Sequence, residues 1–143
     1  MKQYFDVGVV IPLEEELIEF QQEFDLVKNY STDTLFVHSF NTASKGISGI
    51  VIQQDQMGKM AAFRAAEHLL NEYNIGVMVC LGIAGGLSTD LHIGDVCYSE
   101  RIIDVYDNAK VWPAAGSVDT ELRCLMELEV SNAETNVQPR VQA

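Results

Sequence analysis

Residues Val77 to Leu81 form an unbroken apolar run that leads directly into Gly82, Ala84, Gly85 and Gly86. The run has the length and composition of a strand buried on both faces, the environment that a parallel sheet covered by helices on each side provides. The small residues beyond it let the backbone turn tightly and let a ligand approach the main chain. In open α/β sheets the carboxyl end of a strand is where ligands bind. Composition alone leaves a second reading open, a loop whose glycines serve only for turning. A further apolar stretch follows Gly94 and Asp95, with Leu91, Ile93, Val96 and Tyr98 leading into the next strand.

Elements of both kinds surround this stretch. Phe5 to Ile11 reads as a strand that Pro12 ends, because proline brings no donor to a ladder. Leu13, Leu17, Phe20, Phe24 and Val27 then follow at helical spacing. Glu14, Glu15 and Glu16 fall in the first turn of that helix, where free N–H groups and the dipole favour carboxylates, and this by itself accounts for an acidic start. Asn29 to Asp33 is a polar break. Thr34 to Phe40 and Ile47 to Gln54 read as a hairpin across the turn residues Asn41 to Gly46. A helix from Lys59 to Tyr73 places Met60, Phe63, Ala66 and Leu70 on one stripe, with Ala62 and Leu69 beside it. The apolar run from Ile75 is then the central strand. Ser88 to Asp90 is a turn, and Ile102, Ile103 and Val105 mark another strand. Lys110 to Ser117 reads as loop, Asp119 to Val130 as a helix, and Asn132 to Ala143 as a polar tail. The expected fold is α/β, three-layer, with a mixed central sheet of about five strands and flanking helices. Residues 1–110 make up its main part, and residues 111–143 a loop, a short helix and a tail.

Charge and side-chain chemistry narrow the partners. Nine basic against 21 acidic residues give a net charge of −12, which repels nucleic acid and anionic membranes. Cys80, Cys97 and Cys124 are an odd number without a C-x-x-C pair, and they read as buried thiols in a reducing compartment. His38, His68 and His92 lack ligand spacing, so neither a metal nor a cofactor is expected. Lys59 follows a single glycine and precedes no Ser or Thr, so its loop is not a P-loop. The N-terminus has no apolar signal core, and no run is long enough to span a membrane. The cytoplasm is the expected location.

Three segments, in order and spacing, carry a resemblance. Gly82-Ile83-Ala84-Gly85-Gly86-Leu87-Ser88-Thr89-Asp90-Leu91-His92-Ile93-Gly94-Asp95-Val96 resembles the signature of the nucleoside phosphorylase and nucleosidase superfamily, and most of all that of the methylthioadenosine/S-adenosylhomocysteine nucleosidases. Val9 to Glu16 resembles that family's first strand and acidic helix start. Gln54-Asp55-Gln56-Met57-Gly58-Lys59 resembles the segment after its third strand, although the family usually has Ser-Gly where this chain has Asp55-Gln56. The resemblance covers the family's N-terminal half and fades after Asp107.

The resemblance implies the nucleoside-binding domain of a purine nucleosidase-type enzyme, which cleaves the N-glycosidic bond of adenine nucleosides with water. It makes Glu16 the catalytic residue that positions and activates that water. Gln56, Met57, Gly58, Ile83, Ala84, Gly85, Gly86 and Arg101 become the substrate-binding residues, and the Gly94-Asp95 pair is structural. The family's general acid, its base-stacking aromatic and its ribose-binding glutamate belong to the second half, and no segment here matches them. Met126-Glu127-Leu128-Glu129 resembles the ribose-binding strand, but it stands only about thirty residues after Asp95 and reads as a chance match. A homo-oligomer, or a missing C-terminal half, is therefore expected as a partner. Two alternatives stand beside the nucleosidase: an inactive nucleoside-binding or assembly module, and a phosphate-dependent phosphorylase.

Overall fold

Strand β1 (Tyr4–Ile11) is the strand on which the first part of the molecule is assembled. The computed structural model describes residues 1–42 and 45–97, together with the backbone of three short strands, Arg101–Asp104, Lys110–Pro113 and Val141–Gln142. The chain divides into two units, Met1–Ala84 and Gly85–Ala143. In the first, β1 is followed by α1 (Glu14–Glu23), β2 (Val27–Ser31), β3 (Leu35–Asn41), β4 (Ser48–Gln54), α2 (Lys59–Glu72) and β5 (Asn74–Cys80). The strands form one mixed sheet in the order β2-β3-β4-β1-β5. β1 runs parallel to both neighbours, with Val9 opposite Val51 on β4 and Val79 on β5. β3 is antiparallel to β4 and to β2, as the hairpin reading of the sequence requires.

Each face of the sheet carries its own core. Val9, Ile11, Phe40 and Val51 pack with Leu17 of α1. Val10, Val37, Ile50 and Ile52 pack with Ala65 and Leu69 of α2. Successive residues of β1 and β4 thus feed opposite layers, and the α/β three-layer arrangement with a mixed sheet follows.

The helices and the edges depart from the sequence reading in instructive ways. α1 stops at Glu23, and Val27 belongs to β2, which occupies much of the expected polar break. Phe20, Phe24 and Phe40 close an aromatic cluster, with Phe20 and Phe24 stacked at 4.5 Å between ring centres, and the chain turns out of the helix there. Hydrogen bonding to β3 then makes a strand of the polar sequence Val-Lys-Asn-Tyr-Ser, and Tyr30 ties it to α2 through His68 Nε2. On α2 the buried residues are Ala65 and Leu69, while Met60, Phe63 and Leu70 are exposed. The alanine face allows closer approach to the sheet, so the bulkier stripe turns outward. His38, on β3, is buried.

β5 is not central. Among the described residues it pairs with β1 alone and stands at the end of the sheet, with Val77 45% and Leu81 43% exposed. Cys80 and Cys97 are exposed free thiols and not buried ones, and Cys124 lies outside the described residues.

In the second unit, β6 (Val96–Cys97) pairs in parallel with β9 (Val141–Gln142), and β7 (Arg101–Asp104) pairs antiparallel with β8 (Lys110–Pro113). Lys110 to Pro113 is therefore strand where loop was expected. The Ser88 to Asp90 turn is present, with the Leu91 N–H donating to the Ser88 carbonyl at 3.3 Å. The Asp95 carboxylate accepts the His92 N–H at 2.9 Å. The expected helix over Asp119 to Val130, including Met126 to Glu129, lies outside the described residues. No helix among the described residues is long and apolar enough to cross a membrane.

The two faces of α2 separate in a stability measurement. Leu69→Ala should cost about 2–5 kcal/mol, as a fully buried truncation does, whereas Leu70→Ala should cost about 0.5 kcal/mol or less. Urea unfolding of both variants checks this. A larger loss at Leu70 than at Leu69 would mean that α2 sits on the sheet by the face read from the sequence.

Candidate functional site

The parallel ladder of β1 and β5 brings two chain segments together at its carboxyl end. Beyond β5, the Leu81 N–H donates to the Val10 carbonyl at 3.0 Å and carries the pairing into the small-residue segment. Beyond β1, Pro12 and Leu13 turn the chain, and α1 begins at Glu14. The first turn of a helix has N–H groups without intrahelical partners, and Glu16 folds back to satisfy one. Its Oε2 accepts the Leu13 N–H at 3.0 Å, the half of a capping box that a glutamate at this position supplies. Its Oε1 accepts the Ile83 N–H at 2.7 Å, across 67 residues of sequence. One carboxylate therefore joins the start of α1 to the loop after β5.

Glu15, Glu16, Glu19 and Phe20 of α1 and Leu81, Gly82 and Ile83 of the loop line a cleft of about 350 Å³. Its wall is mainly apolar, and its carboxylates come from one helix. Glu16 is half-buried, whereas Glu14 and Glu15 are exposed. The field of Glu16 is felt at the end of β5, where partial burial and then this carboxylate push the Cys80 thiol above its ordinary range. A carboxylate has about four lone-pair sites, so Glu16 keeps acceptor capacity for a water or a hydroxyl after binding both amides. Its orientation is set in advance.

Of the residues singled out from the sequence, Glu16 and Ile83 meet directly, and Ala84 follows next in the loop. Gln56, Met57 and Gly58 line another cavity, of about 370 Å³, with Gln54, Lys59 and Arg64. Gly58 is the N-cap of α2 at φ 116°, a conformation that favours glycine. Gly85 and Gly86 belong to the second unit. Arg101 is the first residue of β7, and its side chain lies outside the described residues. Glu15, Glu19, Phe20 and Leu81 were not singled out. The i, i+4 spacing of Glu15 with Glu19 and of Glu16 with Phe20 was the available signal.

A third cavity, of about 450 Å³, lies along β3, β4 and the start of α1, lined by residues including Leu13, Leu17, Phe36, His38 and Gln53. The Nδ1 of His38 is buried there without a hydrogen-bond partner among the described residues. Burial, and then the charge of Lys28, lower the pKa of His38. No group of three or more His, Cys, Asp or Glu side chains among the described residues is arranged to hold a metal ion.

The model of the Phosphorylase superfamily matches residues 6–135. The chain is 22% identical over 140 residues to the 5'-methylthioadenosine/S-adenosylhomocysteine nucleosidase of Oceanobacillus iheyensis, covering 91% of this chain and 60% of that protein. It is 25% identical over 138 residues to the nucleosidase of the same name from Bacillus subtilis, covering 90% of this chain and 58% of the relative. Among solved structures it is similar in fold to the Helicobacter pylori 5'-methylthioadenosine/S-adenosyl homocysteine nucleosidase, with a TM-score of 0.71, 16% identity, and coverage of 97% of this chain and 62% of the other. The chain thus spans about three fifths of the length of these relatives.

The lowered pKa of His38 has a signed consequence. The folded state resists protonation more than the unfolded state does, so its stability is full above the ordinary imidazole pKa of 6.5 and falls as pH drops below that value. The urea midpoint should decline between about pH 7 and pH 5, and His38→Gln should flatten that decline. An identical pH slope in both proteins would remove His38 as its source.

Proposed function

The chain belongs to the Phosphorylase superfamily, and from that membership we propose that it forms the nucleophile-side part of a purine nucleosidase, which cleaves the N-glycosidic bond of an adenine nucleoside with water. The observation that carries this reading is the half-buried Glu16 carboxylate, held by the Leu13 and Ile83 amides at the mouth of an apolar cleft. The named activity of the curated relatives supplies the substrate class.

As the bond between the anomeric carbon and the purine nitrogen breaks, positive charge develops on the sugar. Glu16 orients a water against the opposite face of that carbon and accepts its proton as the new C–O bond forms. The bonding pair leaves with the base, which needs a proton of its own. A positioned general acid or base contributes about 10²- to 10⁴-fold. Glu15, Glu16 and Glu19 all come from α1 and stand on the side of the water, so the acid that protonates the base is supplied from elsewhere. A form extended to the relatives' length, or a partner subunit, is the proposed source. Ile83, Ala84, Gly85, Gly86, Gln56, Met57, Gly58 and Arg101 are the proposed substrate contacts.

Calorimetry with methylthioadenosine, adenosine and inosine, followed by assays of adenine release with and without phosphate, tests this. Binding of methylthioadenosine is expected, and the 143-residue chain alone should turn over poorly. In a form that does release adenine, release should be independent of phosphate. Glu16→Gln should lower that turnover by about 10²-fold or more and leave binding largely intact. No heat with any of the three would leave an assembly module as the better reading. Release that requires phosphate would make the protein a phosphorylase.

A further inference from the structure

We infer that Gly82 is a positioning residue for Glu16, present to leave room for the carboxylate and not to permit a turn; the catalytic consequence rests on the nucleosidase reading above. A Cβ built on Gly82 would stand 2.9 Å from Glu16 Oε1 and 3.4 Å from both Cδ and Oε2. The three nearest atoms thus all belong to the same carboxylate. Gly82 is not among the glycines with positive φ, which are Gly46, Gly58 and Gly94 among the described residues, so backbone conformation does not demand a glycine here. Gly85, three residues on, has nothing within 4 Å of its would-be Cβ. Clearance for Glu16 is what distinguishes position 82.

The obstructed atom is Oε1, the one that accepts the Ile83 N–H at 2.7 Å. Real Cβ atoms do not approach other atoms this closely, so a methyl at position 82 must displace something. Leu81 is tied to β1 through the Val10 carbonyl, whereas the carboxylate is the far end of a flexible side chain held by two amide hydrogen bonds. Glu16 is therefore the group that yields. Its displacement costs the fold little but loosens the amide contact that aims the carboxylate. A misplacement of about 1 Å can cost about 10²-fold in rate.

The primary test is amide NMR on the 143-residue chain. In the wild type the Ile83 and Leu13 amide shifts should both follow the ionisation of Glu16, and in Glu16→Gln neither should. In Gly82→Ala and more strongly in Gly82→Val, the Ile83 response should shrink while the melting temperature stays within about 2 °C of wild type. An undiminished Ile83 response would overturn the proposal, as would a large loss of melting temperature in the alanine variant. In a form that hydrolyses methylthioadenosine, Gly82→Val should lower kcat with KM nearly constant, and Glu16→Gln with Gly82→Val should be no slower than Glu16→Gln alone. Additive losses would refute the coupling. If wild type never releases adenine, the nucleosidase reading fails, and the Ile83 amide still decides the role of Gly82.

Discussion

The candidate site depends on the parallel pairing of β1 with β5. Parallel strands end on the same side of a sheet, so the turn after Ile11 and the loop after Cys80 emerge as neighbours although they are some seventy residues apart. The hydrogen bond from Leu81 to Val10 extends that pairing one step past the strand and sets where Gly82 and Ile83 stand. Only then does a glutamate in the first turn of α1 find a main-chain amide on the opposite wall. If the register slipped by one residue, the side chains of β5 would exchange faces, and the amide that Glu16 meets would move as well.

β1 holds this register because both of its faces and both of its edges are engaged. Val9 and Ile11 contribute to the core beneath α1, and Val10 to the core beneath α2. Asp6 adds a polar constraint at the β4 edge: its carboxylate accepts both the backbone N–H and the hydroxyl of Ser48, and these bonds hold its pKa below the usual carboxylate range. β5 has a different character. It is as apolar as β1, but in this sheet it presents exposed Val77 and Val79 at an edge, with exposed Leu81 just beyond it, an arrangement that other strands or side chains readily cover. Within the five-stranded sheet, β1 is thus flanked by a chain of paired strands on the β4 side and by β5 alone on the side of the cleft.

Local periodicity made β1, α1, the β3–β4 hairpin, α2 and β5 legible, because each has an apolar pattern that fits a single period. Less legible was what depends on which neighbour wins. β2 has the composition of a linker and becomes a strand because β3 offers it an edge. The face of α2 was misassigned because Met60, Phe63 and Leu70 follow a helical period as well as Ala62, Ala65 and Leu69 do; close packing against a sheet chose the smaller set. β5 looked central because its residues are suited to burial, yet suitability for burial does not determine what lies alongside. At the candidate site, the resemblance pointed to Glu16 and to the loop residue Ile83, but their contact joins residues 67 apart, and no local pattern encodes it.

The acidic start of α1 shows how structural and functional explanations of one motif separate. Carboxylates in a first turn are favoured by the helix dipole wherever they point, and for exposed Glu14 and Glu15 that is sufficient. It also explains the bond from Glu16 Oε2 to Leu13. It does not explain Oε1, which reaches out of its own helix to the Ile83 amide, beside a residue, Gly82, that has no side chain. A capping glutamate needs one oxygen on its own backbone and has no need of a second amide or of a glycine opposite it. Glu16 therefore carries a constraint beyond helix formation, and that constraint acts on the orientation of a carboxylate beside an apolar cleft. Because the same side chain also caps α1, its replacement perturbs the fold and the site together. The clearance provided by Gly82 is tightest at Oε1, 2.9 Å against 3.4 Å at the capping Oε2, so a change at position 82 bears on the loop contact of the carboxylate before it bears on the helix cap.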